Sequence, residues 1–348
     1  RAIFTVNEED GMDSINMDAK YLQGDYLINL DWEEIGSVCN SCAGGDFFAF
    51  SRKADWEAAP AGCKTMTIGF SNLLGGHSGV GINKGHANAL VSLATAMAAV
   101  KKAGVAYQIA DFSGGQAPNA IPKFGKVRFA IAPADVDKAK AALDGFMAEF
   151  KDAFDNIEPE YSFDVKVEDA APTRVLSAKT SSDLITLMTV CPNNVHTMSP
   201  FVGGLVESSS NVGTITIDDE KIEFADFARS SVTYHATQIG YICEALAQQC
   251  GFTLRNDTHV PGWAVNPNSK LVPITCAAYK ELTGKDMVVE PVHAGVECGA
   301  FAQKNPHLDM IAIGPTLIDV HTPNEKCNLE DVRVTTELVV AVLEKIAE

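Results

Sequence analysis

No stretch of this 348-residue chain stays apolar long enough to cross a bilayer as a helix. Basic residues are also scarce. The 27 Lys and Arg face 45 Asp and Glu, for a formal net charge of −18. Nucleic acid and anionic membrane both need a basic patch, so neither is expected as a partner. Cysteine lacks a framework: nine residues are scattered along the chain, and the odd count suits reduced thiols in a cytoplasm, the expected location. Cys39 and Cys42 form one C-x-x-C pair with no second pair to complete a zinc knuckle, so they read as structural. What remains is ordinary for a soluble globular protein, with 46% apolar and 21% charged residues and length enough for two domains.

The chain opens on Ile3-Phe4-Thr5-Val6-Asn7-Glu8-Glu9-Asp10-Gly11. The β-branched run predicts a buried strand that delivers two carboxylates to the open end of a sheet. One such glutamate can serve as a hard oxygen ligand and its neighbour as a general base. In so acidic a chain a Glu-Glu pair alone is more often a solvated loop. The pattern recurs, however, in Tyr26-Leu27-Ile28-Asn29-Leu30, which ends at Asp31. A strand-like run so close to Arg1 is expected where a domain has been cut, with any targeting signal upstream.

Three segments follow from the texture. Residues 1–64 and 258–348 read as the two parts of one α/β domain, with a mainly parallel sheet flanked by helices and truncated at its N-terminus. Here the expected strands are Asp286–Val292 and Leu308–Ile313, and the expected helices Leu271–Leu282 and Leu329–Ala347. Residues 65–257 read as an inserted α+β lid domain. Its expected strands are Thr65–Phe70, Ala106–Phe112, Lys126–Ile131, Tyr161–Glu168, Gly204–Ile217 and Lys221–Arg229. Helices are expected at Ala87–Ala103, Ala134–Phe154 and Val232–Cys250. Strands and helices recur in similar order twice, which suggests two related halves, although no clear sequence repeat accompanies them. A cleft between two such domains suits a small ligand.

Several residues in this layout could carry chemistry. His321 lies just past a buried strand and offers an imidazole beside carboxylates, a donor set that suits zinc, although a lone loop histidine is more often structural. His77 sits in Gly75-Gly76-His77-Ser78-Gly79, a turn whose backbone can approach a ligand closely. Arg229 ends an alternating strand with a fork that suits a carboxylate. Asn119 reads as a turn residue, and Trp263 as a plug at the domain junction. The run His293-Ala294-Gly295-Val296-Glu297 joins a strand to a helix, where backbone N–H groups can meet an anion.

Taken together, FTVNEEDGM, LINLD, GGHSGVGINKGHANA, the GG…NAIP run, PGW with its downstream NP, HAGVECG and GPT…HTPNE resemble one family in order along nearly the whole chain. It is the aminoacyl-histidine dipeptidases (Xaa-His dipeptidase, peptidase D) of the M20 metallopeptidases. The resemblance implies a two-zinc hydrolase of Xaa-His and similar dipeptides, with Co2+ or Mn2+ as substitutes. By motif, Glu8 matches the general base, Glu9 and Asp31 match ligands to different zincs, and His321 shares a metal with Glu9. His77, Asn119 and Arg229 match lid positions that contact substrate; Glu297 matches a position near the site without an assigned role. The resemblance also implies pairing of subunits through the lid, as a homodimer, with a duplicated lid that serves within one chain as the alternative.

Two family features are absent from the chain as given: an upstream His-x-Asp motif and a later bridging aspartate. Poor zinc binding and inactivity are therefore expected of this polypeptide. The alternatives are a non-catalytic M20-like binding or assembly protein, and an M20 amino-acid deacylase.

Overall fold

The computed structural model describes residues 1–8, 12–320 and 323–348. Its strands are β1 (Tyr26–Asn29), β2 (Gly44–Lys53), β3 (Lys64–Ser71), β4 (Tyr107–Gly114), β5 (Gly125–Ile131) and β6 (Ser162–Glu168). They continue with β7 (Asn194–Met198), β8 (Val206–Ile217), β9 (Lys221–Ser230), β10 (Thr253–Val260) and β11 (Asp309–Ala312), beside several two-residue strands. The helices are α1 (Ala89–Lys102), α2 (Val136–Phe154), α3 (Ala178–Val190), α4 (Thr233–Gln249), α5 (Leu271–Thr283), α6 (Cys298–Lys304) and α7 (Leu329–Ala347).

A mixed α/β architecture results. In its smaller part β1 runs parallel to β11, with Tyr26 opposite Asp309 and Asn29 opposite Ala312. Ser37–Val38 and Val288–Val289 pair in parallel as well. Both faces of β11 are covered, as a parallel sheet requires. Met310 and Ala312 pack with Trp263, Cys298 and Phe301, while Ile311 and Ile313 pack with Leu271 of α5 and Leu338 of α7. The last helix starts where the sequence places it because Asn328 accepts the Glu330 N–H at 3.0 Å.

The larger part is a nine-stranded sheet in the order β6-β3-β5-β4-β8-β9-β2-β10, with β7 added beside β8. Its ladders are antiparallel. Alternate side chains face the helices: Met66, Ile68 and Phe70 of β3 and Val127, Phe129 and Ile131 of β5 are buried. They meet Leu90, Leu93 and Met97 of α1, Phe146 and Phe150 of α2, Leu184 of α3 and Ile239 of α4. The chain takes the same βαββαβ path twice. One pass is β3-α1-β4-β5-α2-β6; the other is β2-α3-β8-β9-α4-β10, and the first is inserted inside the second. The two meet where Gly114 of β4 pairs with Ile215 of β8.

Three expectations need correction. The opening run is not a strand: residues 1–7 have no ladder partner, and Phe4 and Val6 are 93% and 73% exposed. β-branched propensity yields a strand only where a neighbour supplies hydrogen bonds and packing. The Asp286–Val292 run shrinks to Val288–Val289, which is exposed rather than buried. The large sheet also reaches past 65–257 at both ends, taking in β2 and β10. α3, unforeseen in Ser-Ala-Lys-Thr-Ser-Ser-Asp, forms because Ser177 caps it by accepting the Thr180 N–H at 3.1 Å.

β2 and β10 carry a polar contact next to where the chain passes between the two parts. His259 Nδ1 lies 2.8 Å from Asp46 Oδ1, and Asn256 Nδ2 donates to the same oxygen at 2.8 Å. The hydrogen bond to Asp46 raises the His259 pKa. A raised folded-state pKa adds stability that is complete below the unfolded value and fades as pH rises through the folded one. The melting-temperature gap between the parent and His259→Ala should therefore be larger at pH 5.5 than at pH 8, a difference of about one to three degrees for a half-exposed group.

Candidate active site

Two groups of predicted residues gather at the junction of the two parts. The first is acidic. Asp31 stands just past the carboxyl end of β1, exposed, with its N–H held by Asn29 Oδ1 at 2.9 Å. Strand ends of parallel pairs are where α/β folds place ligands. Glu8 is half-buried, and its carbonyl accepts the Met12 N–H at 2.9 Å. Thr5 Oγ1 donates to Glu297 Oε2 at 3.1 Å, which ties the opening segment to the start of α6. Asp31 and Glu297 both lie close enough to Cys298 to help raise its thiol pKa, although burial is the main cause. Asp31, Glu297 and the opening segment are thus brought to one side of the smaller part. Glu9 and His321 lie outside the described residues.

The backbone that leads towards position 321 is nevertheless fixed beside Asp31. Ile313 N donates to Asn29 O at 3.0 Å, and Leu317 N donates to Glu33 O at 3.0 Å. Between them Gly314 passes so close to Trp32 that a Cβ would collide with its carbonyl oxygen. Gly314→Ala should push the two segments apart at a cost of about 1–3 kcal/mol, read by urea denaturation.

The acidic group suits a divalent metal by its donor chemistry. Carboxylates are oxygen donors of the kind zinc accepts. Glu297 Oε1 is buried without a hydrogen-bond partner, a polar atom still to be satisfied at this place.

The second group lies on the large sheet. His77 pairs in a two-residue strand with Ala120, and Ser78 N donates to Asn119 O at 2.9 Å. Asn119 is exposed on this turn, which Asn211 grips from below: its Nδ2 donates to Pro118 O at 3.0 Å and Ala120 O at 2.9 Å. His77 Nδ1 accepts the N–H groups of Gly79 (3.1 Å) and Val80 (3.3 Å). Because Nδ1 accepts, the neutral ring carries its proton on Nε2, which is free to donate outward. Desolvation, then the nearby Arg229 charge, lowers the His77 pKa and favours that neutral form.

Arg229, at the end of β9, is buried, and burial lowers its pKa to about 10, so it remains a cation at neutral pH. Its guanidinium carbon lies 4.5 Å from the Phe227 ring centroid, and its Nε has no hydrogen-bond partner. Among the described residues no carboxylate forms an ion pair with it. A buried cation without a counter-ion is costly to keep.

His293 was the residue that sequence reasoning missed. It belongs to the HAGVECG run, yet its ring faces the large sheet: Nε2 lies 2.7 Å from Ser209 Oγ, opposite Arg229 in the ladder. Burial, with Arg229 and His77 nearby, pushes its pKa down to about 3, so it is neutral. Its carbonyl packs against Gly79, where a Cβ would collide with it. Like His77 it stands in a glycine-containing run, but only the fold pairs it with Ser209. Cys39 and Cys42 are buried thiols raised to about 12 and about 11 by burial, as structural residues should be.

A mixed α/β chain with a carboxylate just past a parallel strand end, another at the start of α6, and a histidine–arginine pair on an inserted sheet, has the design of a metallopeptidase with a lid. The chain belongs to peptidase family M20/M25/M40, whose profile matches residues 1–345. It is 32% identical over 346 residues to the cytosol non-specific dipeptidase of Escherichia coli (strain K12), covering 99% of this chain and 71% of that one. The crystal structure of the aminoacylhistidine dipeptidase from Vibrio alginolyticus superimposes with a TM-score of 0.91 at 30% identity, covering 98% of this chain and 69% of the other. Among the described residues no helix is long and apolar enough to cross a membrane.

Proposed function

We propose that this chain carries the site of a zinc-dependent dipeptidase that cleaves Xaa-His and similar dipeptides, with Glu8 as general base. The observation that supports it most is the buried Arg229 guanidinium, unpaired among the described residues, beside His77 and His293. Such a cation matches the free carboxylate of a short peptide, which must end there, and so disfavours longer chains. The relatives' names point to the same substrate class.

In this reading Glu9, Asp31 and His321 would hold zinc, which when bound supplies Lewis-acid polarisation of water and of the scissile carbonyl. Glu8 takes a proton from the attacking water and returns it to the leaving amine. His77 presents its Nε2–H to the developing oxyanion, a role its tautomer already permits. Arg229 fixes the register of the substrate, and the Asn119 turn, held by Asn211, lies against its backbone. The comparisons lend no support to the expectation of inactivity.

Kinetics on the zinc-loaded protein test the reading. Xaa-His dipeptides should be hydrolysed with kcat/KM at least about tenfold above N-acetyl amino acids, given what a matched polar contact discriminates. Faster turnover of the N-acetyl compounds would make the protein a deacylase instead.

A further inference from the structure

Away from the junction, under the second βαββαβ pass, two thiols of the core, Cys191 and Cys243, meet a buried carboxyl that the proposed reaction does not use. Asp226 lies in the middle of β9, opposite Val212 on one side and Phe48 on the other, and is fully buried. Its Oδ1 accepts the Asn211 N–H at 2.9 Å. Its Oδ2 faces two thiols, Cys191 at the C-terminal end of α3 and Cys243 within α4, each with Sγ at 3.8 Å. One donor atom from each of the three lies within 4.8 Å of the others. Thiols are weak hydrogen-bond donors, and a carboxylate in an apolar core costs free energy that two such contacts offset poorly.

We propose that Cys191, Asp226 and Cys243 form a binding site for a borderline-soft divalent cation of the zinc class. The spacing fits. Tetrahedral zinc with Zn–S near 2.3 Å and Zn–O near 2.0 Å places its donors about 3.5–3.8 Å apart. The relevant sulfur–oxygen spacing is the shorter one, so the observed 3.8 Å Sγ–Oδ2 separations would contract by about 0.3 Å around the ion. Charge also selects the ion. Two thiolates and a carboxylate carry three negative charges, so a divalent ion leaves one, which the Asn211 N–H faces; a monovalent ion would leave two. Burial raises the Asp226 pKa to about 7, so on binding each thiol, and the Asp226 carboxyl where it is protonated, loses its proton to solvent, and each sulfur gives a lone pair to the metal. Because the site is closed, the ion enters as this part of the chain folds.

The site has a structural reach. Asn211, whose N–H binds Asp226, is the residue whose side chain grips the Asn119 turn. An ion here would join α3, α4 and β9 directly behind that turn. This inference is independent of the dipeptidase reading, since it concerns other residues and is read without activity.

Zinc-edge X-ray absorption on protein produced in zinc-supplemented medium tests it. Ligands at the junction are oxygen and nitrogen donors, so a sulfur shell near 2.3 Å can come only from thiolates. The expected result is a sulfur shell in the parent that disappears in both Cys191→Ser and Cys243→Ser and persists in Cys327→Ser, whose thiol is exposed. Protein without zinc, zinc without a sulfur shell, or a shell that survives in Cys191→Ser and Cys243→Ser would each overturn the proposal. The parent spectrum establishes a thiolate ligand, and a circular dichroism spectrum matching the parent's shows that loss of the shell in a variant reports the removed thiol and not misfolding.

Discussion

Arg229→Met should cost about 2–5 kcal/mol of transition-state stabilisation on a free dipeptide, the usual loss when one partner of a buried charged contact is removed. That is a fall in kcat/KM of between about thirtyfold and several thousandfold. The substitution keeps an unbranched apolar side chain and deletes the guanidinium that lies over Phe227, with its charge and its N–H donors. Lysine should not rescue it, because a single ammonium cannot reproduce the planar fork. The decisive comparison uses a dipeptide whose C-terminus is amidated. The parent should strongly prefer the free carboxylate, and Arg229→Met should lose that preference. If the preference survives, the carboxylate binds elsewhere. Stability should move the other way. Without substrate the guanidinium is buried with its Nε unsatisfied, so the variant should melt at the same temperature or higher.

Glu8→Gln should lower kcat by about a hundredfold to ten-thousandfold, the range that positioned general bases contribute. The amide keeps the shape of the side chain and loses only its ability to take a proton. KM and zinc content, read by atomic emission, should stay near the parent values. A parallel fall in zinc content would make Glu8 a ligand, not the base. A kcat within about threefold of the parent would remove it from proton transfer altogether.

Much of the fold was legible because the pattern was strong and local. Alternation in Thr65–Phe70 and the apolar period of Ala87–Ala103 each closed on an observed element within a few residues. β2 was missed because glycine is a poor strand former, and Gly44 and Gly45 owe their place to close packing against Val260 and Phe227, far away in sequence. The opening run misled for the opposite reason. Its β-propensity is real, but without a partner strand it stays exposed. In the site, Arg229 and His77 could be named from their motifs, whereas their closeness to each other and to His293 is a property of the ladder and the junction. Ser209 and Asn211 carry no motif at all and become visible only through what they hold.

The nesting of one βαββαβ pass inside the other also dictates an order of assembly. β2 must find β9, its neighbour from Lys221 to Ser230, across the whole of the inner pass. Closing so long a loop in an extended chain is entropically costly and slow. Collapse of the inner pass brings its ends together and shortens that search, so it should precede the outer ladder. Inherited from this order is a vulnerability: until the inner unit has formed, Gly44–Lys53 is an apolar strand without a partner, and growth conditions that delay the first step favour aggregation through it.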